Sequence, residues 1–286
     1  MKKVYIELSD ICGLSCSFCP APKGVRGVMP LSLFAKALDE ALCFSRRIAL
    51  HILGDPCYLD NLESYLVLAR NKGAQVEIVT SGIYCHKHPV SLLLSAPIYQ
   101  LSISLEAGFN QHLVRHYAVL RALLDSHFRN PTCFVNLRIQ DTLLFTKPDV
   151  LSALLYAILP QSFLNTQDAM MLHKDCIMRN FDTKGRIRLW KKALLVRKPS
   201  FVWAGFAPIS KNTHKRCYGI IHQIGILSNG VVVPCCLDTG GQINLGDLHT
   251  QSLAQILRSS RAQNIAEGFK LGEAREELCM RCGFVL

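Results

Sequence analysis

Strand-like and helix-like apolar patterns alternate five times between residues 3 and 158, and few folds accept such a chain. Residues 3–9 put Val4, Ile6 and Leu8 on one face, as a half-buried strand does, and residues 31–45 carry a helical period behind Pro30. Further strands are predicted at 48–53, 76–80, 101–105 and 133–139. Between them the pattern predicts a helix opening on an Asp60/Glu63 capping box and stopping at Gly73, then helices at 89–95, 111–127 and 148–158. This is the βα repeat of a parallel sheet. A closed eight-unit barrel takes about 250 residues. The alternation fades after Pro160, so the expectation is an α/β chain with a partial (β/α)6 TIM-like barrel over residues 1–200. Residues 176–215 are basic and less regular, and read as its last segment and a linker. From residue 217 the pattern changes. Apolar runs 223–227 and 231–233 flank Ser228-Asn229-Gly230, a strong hairpin signal, and a helix is expected at 252–266. Residues 201–286 thus read as a small β-hairpin-plus-helix domain, and 286 residues at about 150 per domain agree with two.

The chain holds 13 cysteines, yet half its residues are hydrophobic, enough to build a core without disulfides. The start, MKKVYIELSD, lacks the apolar run of a secretory signal, and no window reaches the length of a membrane span. A cytoplasmic protein with no membrane partner is expected, and there clustered thiols bind metal or do chemistry. The net charge of +11 suggests an anionic partner or simply a basic surface. Arg186, Arg188, Lys191, Lys192, Arg197 and Lys198 are interleaved with apolar residues rather than gathered in a tail, and no motif calls for nucleic acid.

Seven cysteines fall into two sets. Cys12, Cys16 and Cys19 form C-x3-C-x2-C in the loop after the first strand, with Gly13 easing the turn. Three thiolates there suit a four-iron cluster with one open iron, or zinc with a fourth ligand such as His51, and core thiols are the plain alternative. The position favours chemistry, because barrel active sites lie at the C-terminal ends of strands. Cys217, twelve residues, Gly230, four residues and Cys235 form the second set, completed by Cys279-x2-Cys282. Zinc ribbons and iron–sulfur sites both use such spacing. Cys236 competes with Cys235, but neighbours in an extended chain point to opposite faces. Cys43 and Cys133 read as core thiols, while Cys57, Cys85 and Cys176 could approach the barrel mouth.

The loop Cys12-Gly13-Leu14-Ser15-Cys16-Ser17-Phe18-Cys19, after a strand reading Tyr5-Ile6-Glu7-Leu8, resembles the signature of the radical S-adenosylmethionine (SAM) superfamily, in which an aromatic such as Phe18 precedes the third cysteine. Gly54-Asp55-Pro56 resembles the family's Gly-Glu-Pro segment, which receives the amino group of SAM, with Asp55 one methylene shorter than the usual Glu. Thr80-Ser81-Gly82 resembles its Thr-Asn-Gly, and Ser104, Glu106 and Arg138 stand where polar partners of SAM would. The second cysteine set is similar to the start of the SPASM extension and to its shorter relative, the twitch domain, making residues 201–286 the cluster-binding domain. The resemblance implies two [4Fe–4S] clusters. One is on Cys12, Cys16 and Cys19 and binds SAM. The other, auxiliary, cluster is on Cys217, Cys235, Cys279 and Cys282. It also implies reductive cleavage of SAM, hydrogen abstraction from a small-molecule or peptide substrate, an oxidative outcome, and an external one-electron donor such as flavodoxin or ferredoxin. The N-terminus enters the first strand directly, so no leader-binding extension is expected. A zinc-binding nucleic-acid-associated protein and a non-catalytic iron–sulfur electron carrier are the other classes. The first leaves the N-terminal cysteines unexplained, and the second needs no barrel.

Overall fold

The computed structural model describes residues 1–20, 24–109, 113–140, 144–208 and 214–284. Its strands are β1 (Lys3–Ile6), β2 (Arg47–Ala49), β3 (Gln75–Thr80), β4 (Ile98–Ser104), β5 (Phe134–Gln140), β6 (Arg186–Trp190), β7 (Ala193–Lys198), β8 (Gln223–Ile226), β9 (Val231–Val233) and β10 (Gly246–Asp247). The helices are α1 (Leu31–Leu42), α2 (Leu62–Asn71), α3 (Val90–Leu93), α4 (Leu105–Phe109), α5 (Leu113–Arg129), α6 (Pro148–Ile158), α7 (Gln161–Leu164), α8 (Lys174–Lys184), α9 (Leu253–Leu257), α10 (Ser260–Leu271) and α11 (Glu277–Met280). Residues 1–56, 64–76 and 201–286 form one compact unit, and residues 57–63 and 77–200 a second.

In the first unit the sheet order is β10-β9-β8-β1-β2. The alternation of β1 has a direct cause: Val4 and Ile6 are wholly buried, and Tyr5 points to the other face. β1 pairs in parallel with β2, through Val4 and Ile48, and with β8, through Val4 and Ile224 and through Ile6 and Ile226. The C-terminal hairpin therefore extends the sheet that begins at the N-terminus. Gly230 closes the β8–β9 turn at φ +88°, a conformation favouring glycine, and the Asn229 side chain accepts the Val231 amide at 3.3 Å. α1 buries Leu33, Phe34, Ala37, Leu38 and Ala41 along one stripe. The expected helix at 252–266 is two helices. Ser252 opens α9 with a capping box, and Ser259 caps α10 afresh. β2 is shorter than the predicted 48–53, because residues beyond Ala49 turn away to bond elsewhere.

In the second unit β4, β5 and β7 run parallel, and β6 lies antiparallel on β7. Gln111 and His112 of the predicted helix at 111–127 lie outside the described residues, and α5 runs on to Arg129. Residues 186–198, read from sequence as a linker, form the β6–β7 hairpin. Arg186 and Arg188 are exposed and alternate with buried Ile187 and Leu189, as befits an edge strand guarded by charge. Much of the basic cluster is thus a solvated strand face. His127 accepts the indole N–H of Trp190 at 3.0 Å and reaches the Cys133 carbonyl at 2.8 Å, so this buried polar chain is satisfied. Cys133 is buried as expected, and burial pushes its thiol up to about 11. Cys43 differs: it is exposed just after α1 and is no core thiol. No helix among the described residues is long and apolar enough to cross a membrane.

His116 of α5 is buried, and among the described residues its Nδ1 has no hydrogen-bond partner. Burial lowers its pKa from 6.5 to about 4. The unfolded chain therefore binds the extra proton first, and stability falls as the pH drops from about 6.5 toward 4, by a few kcal/mol at most. His116→Leu is expected to flatten that part of the urea-midpoint profile against pH; an unchanged slope counts against the assignment.

Candidate functional site

The three N-terminal cysteines occupy the loop between β1 and α1. Its two arms are closed by backbone bonds, Met29 N–H to the Leu8 carbonyl at 2.8 Å and Gly24 N–H to the Asp10 carbonyl at 3.3 Å. The buried Asp10 carboxylate accepts the amides of Val25, Arg26 and Gly27 at 2.8–2.9 Å. Such a nest of amides fixes a turn firmly. Between the closed arms Cys12, Cys16 and Cys19 are all half-buried. Leu14 is buried as an anchor, and the Cys19 amide bonds the Cys16 carbonyl at 3.1 Å. The Phe18 carbonyl accepts the Trp203 indole N–H at 2.7 Å.

Glu7, wholly buried at the end of β1, ties this loop to two other segments. Arg26 donates to it from Nε and Nη2, both at 3.0 Å; the Leu53 amide donates at 3.3 Å and the Ser228 amide at 3.1 Å. Burial raises the carboxyl above its ordinary range, and the Arg26 guanidinium and the Ser228 amide pull it back. A few ångströms on, the Asp55 amide bonds the Ile11 carbonyl at 3.2 Å. A Cβ on Gly54 would stand 2.1 Å from the Ser9 oxygen and 2.7 Å from the Ile11 oxygen, so only glycine fits there. The Gly54-Asp55-Pro56 segment is thereby seated against the backbone that leads into Cys12.

The second cysteine set lies in the same unit. The Gly219 amide donates to the Cys217 sulfur at 3.3 Å. Burial raises the Cys217, Cys235 and Cys279 thiols, the last to about 12. The Gly219 amide pulls Cys217 back, while other thiols add to the rise: Cys282 acts on Cys217, Cys236, Cys217 and Cys279 act on Cys235, and Cys217 and Cys282 act on Cys279. Cys217, Cys235, Cys279 and Cys282 thus lie near one another, each half-buried, and a cationic metal centre would offset the charge of their thiolates. Cys236 packs instead with Ile52, Leu227 and Val233. Among the described residues, no three His, Cys, Asp or Glu side chains are arranged to hold a single metal ion.

The remaining predicted residues belong to the second unit. Thr80 and Ser81, both buried, accept the amides of Gly82 and Ile83 with their hydroxyl oxygens. Ser104 and Arg138 are register partners on β4 and β5, each half-buried. Glu106 is buried, and its carboxylate accepts the Gln140 amide at 2.7–2.8 Å and the Leu144 amide at 3.2 Å. Two residues escaped the sequence reading, Glu7 and Trp203. Their signals were a lone carboxylate on an apolar strand and one of only two tryptophans.

Glu7→Ala strips the fork from Arg26 and the acceptor from two amides. It should cost on the order of 3 kcal/mol in denaturant unfolding, more than Glu7→Gln; equal costs would show that charge is not what matters. Gly54→Ala forces backbone apart, with an expected loss of ~1–3 kcal/mol and faster hydrogen exchange at the Asp55 amide. Unchanged protection there would rule out the close approach.

Residues 217–283 match the family model of the SPASM iron-sulfur cluster-binding domain. No curated protein matches the chain. Among solved structures, BtrN in complex with AdoMet and 2-DOIA is similar at 17% identity and TM-score 0.62, covering 99% of this chain and 93% of that one. SuiB of Streptococcus suis bound to the precursor peptide SuiA is similar at 14% identity and TM-score 0.61, covering 98% and 69%. AnSMEcpe with bound AdoMet and a Cp18Cys peptide is similar at 14% and 0.58, covering 98% and 85%. At such identities the likeness is one of fold, and it bears out the α/β partial TIM-like barrel expected from the alternation. Residues 217–283 are thus a SPASM-type iron-sulfur cluster-binding domain, and the chain as a whole shares the fold of these solved structures.

Proposed function

We propose that this protein is a radical SAM enzyme with an oxidative outcome, holding one four-iron cluster on Cys12, Cys16 and Cys19 and a second on Cys217, Cys235, Cys279 and Cys282. The observation that carries this reading is the seating of Gly54 against the carbonyls of Ser9 and Ile11, which joins the Gly-Asp-Pro segment to the cysteine loop. Cys12, Cys16 and Cys19 would hold the cluster, which together with SAM would supply the means to abstract a hydrogen atom from the substrate. The protein's own part is to hold and orient. Three half-buried thiols would ligate three irons of a four-iron cluster and leave the fourth for SAM. Asp55, buried beside the loop, and backbone carbonyls suit an ammonium group. Phe18, Ser81, Ser104, Glu106 and Arg138 are the candidates for the rest of SAM, Arg138 for its carboxylate.

Four protein thiolates would leave the second cluster without an open iron, which suits one-electron transfer better than direct substrate binding. Dehydrogenation and the crosslinking or modification of a peptide or small molecule both fit. The solved relatives are bound to a precursor peptide, to a Cp18Cys peptide and to 2-DOIA, so both substrate classes stand. A flavodoxin or ferredoxin would supply the starting electron. The domain division proposed with this reading is 1–200 for the partial barrel and 201–286 for the cluster-binding extension.

Anaerobic reconstitution is expected to yield roughly eight irons per chain, two four-iron clusters, with dithionite-dependent cleavage of SAM to methionine and 5′-deoxyadenosine. A Cys279→Ala/Cys282→Ala variant should lose about half the iron and keep cleavage, and Cys12→Ala should lose cleavage. Zinc in place of iron at the C-terminal set would sink the assignment.

A further inference from the structure

The two cysteine sets are joined by a short strap, residues 201–207, which lies along the turn that carries Cys282. The Gly205 amide bonds the Arg281 carbonyl at 3.1 Å, the Gly283 amide bonds the Val202 carbonyl at 3.0 Å, and Arg281 Nε returns to the Ala207 carbonyl at 3.1 Å. Lys215 Nζ donates to the Cys282 carbonyl. A Cβ on Gly283 would stand 2.9 Å from the Val202 backbone, so the strap and the turn approach as closely as glycine allows. At its other side the strap carries Trp203, whose indole N–H reaches the Phe18 carbonyl at 2.7 Å. Phe18 is bonded directly to Cys19.

We propose that this chain of bonds is the electron route between the two cluster sites, an inference that rests on the proposed function. From Cys19 the route passes the adjoining Phe18 carbonyl, crosses one hydrogen bond to the Trp203 indole, and follows covalent bonds to the Val202 carbonyl. It then crosses a second hydrogen bond to the Gly283 amide and arrives at Cys282. Only two non-covalent steps separate the ligands, of 2.7 and 3.0 Å. The aromatic alternative, from Trp203 to Phe201 to Phe284, has centroid gaps of 5.2 and 5.8 Å. Electron tunnelling decays far more steeply through space than through bonds or short hydrogen bonds, so the hydrogen-bonded route is the faster one. One electron passes, one cluster is oxidised and the other reduced by that electron, no bond forms or breaks, and Trp203 does not change its own oxidation state.

The test uses the whole protein with both clusters loaded. An electron is injected by flash-photoreduced deazaflavin, and freeze-quench EPR follows which cluster holds it. The Cys279→Ala/Cys282→Ala and Cys12→Ala/Cys16→Ala/Cys19→Ala variants supply the reference spectra. Trp203→Phe keeps a ring and removes the donor; with iron content unchanged, loss of the fast intercluster phase is the expected result. Trp203→Val is the second variant should Trp203→Phe not load fully, and the same loss is expected. Phe201→Leu breaks the ring path alone and should keep the fast phase. A wild-type rate in a fully loaded Trp203 variant overturns the route, and so does a slowed rate in Phe201→Leu. If the unmodified protein loads fewer than two clusters, the functional reading fails first and takes the route with it.

Discussion

The buried carboxylate of Glu7 is the interaction on which the first unit depends. One side chain gathers a guanidinium from beyond the cysteine loop, an amide from the segment before Gly54 and an amide from the C-terminal hairpin turn. A buried acceptor with fewer donors would be costly, because its lost hydration would go unreplaced. With Arg26 in a two-point fork and two amides in place, the charge instead ties together parts of the chain 221 residues apart. Asp10 adds three amides from the returning arm. The loop that carries the cysteines is therefore defined from its base, while the thiols themselves stay half-exposed.

A division of labour follows from this arrangement. Backbone contacts settle where the loop and the Gly54 segment lie, and side chains are left to meet what is bound. Glu106 is also engaged by backbone: its carboxylate accepts the Gln140 and Leu144 amides, and its position in sequence gives no hint of those bonds. Ser81 and Thr80 likewise turn their hydroxyls onto the next residues' amides, as short hydroxyl side chains commonly do after a strand.

Much of the fold was legible because its cause is local. The period of Val4 and Ile6, the stripe of α1, the Asn229-Gly230 turn and the cysteine spacings all operate over a few residues. What stayed hidden depends on distant partners. The β6–β7 hairpin reads as a basic linker because Arg186 and Arg188 mask the alternation of Ile187 and Leu189. Beyond the end of β2 the Leu53 amide turns to the remote Glu7, and the break between α9 and α10 comes from a serine cap within one apolar period. Cys43 falls one residue past the helix whose face it was expected to share. The donors to Glu7 and the partner of Trp203 are backbone groups of remote segments, to which no periodicity points.

The parallel pairing of β1 with β8 has a consequence for biosynthesis. During synthesis β1 finds one of its two neighbours only when residues 223–226 have been made. Until then one edge of β1 and the Ser228 side of Glu7 lack their partners. Such long-range closure is slow and leaves an unpaired strand edge open to wrong pairing. The cysteine loop would thus reach its final form late, at about the time that the second cysteine set becomes available.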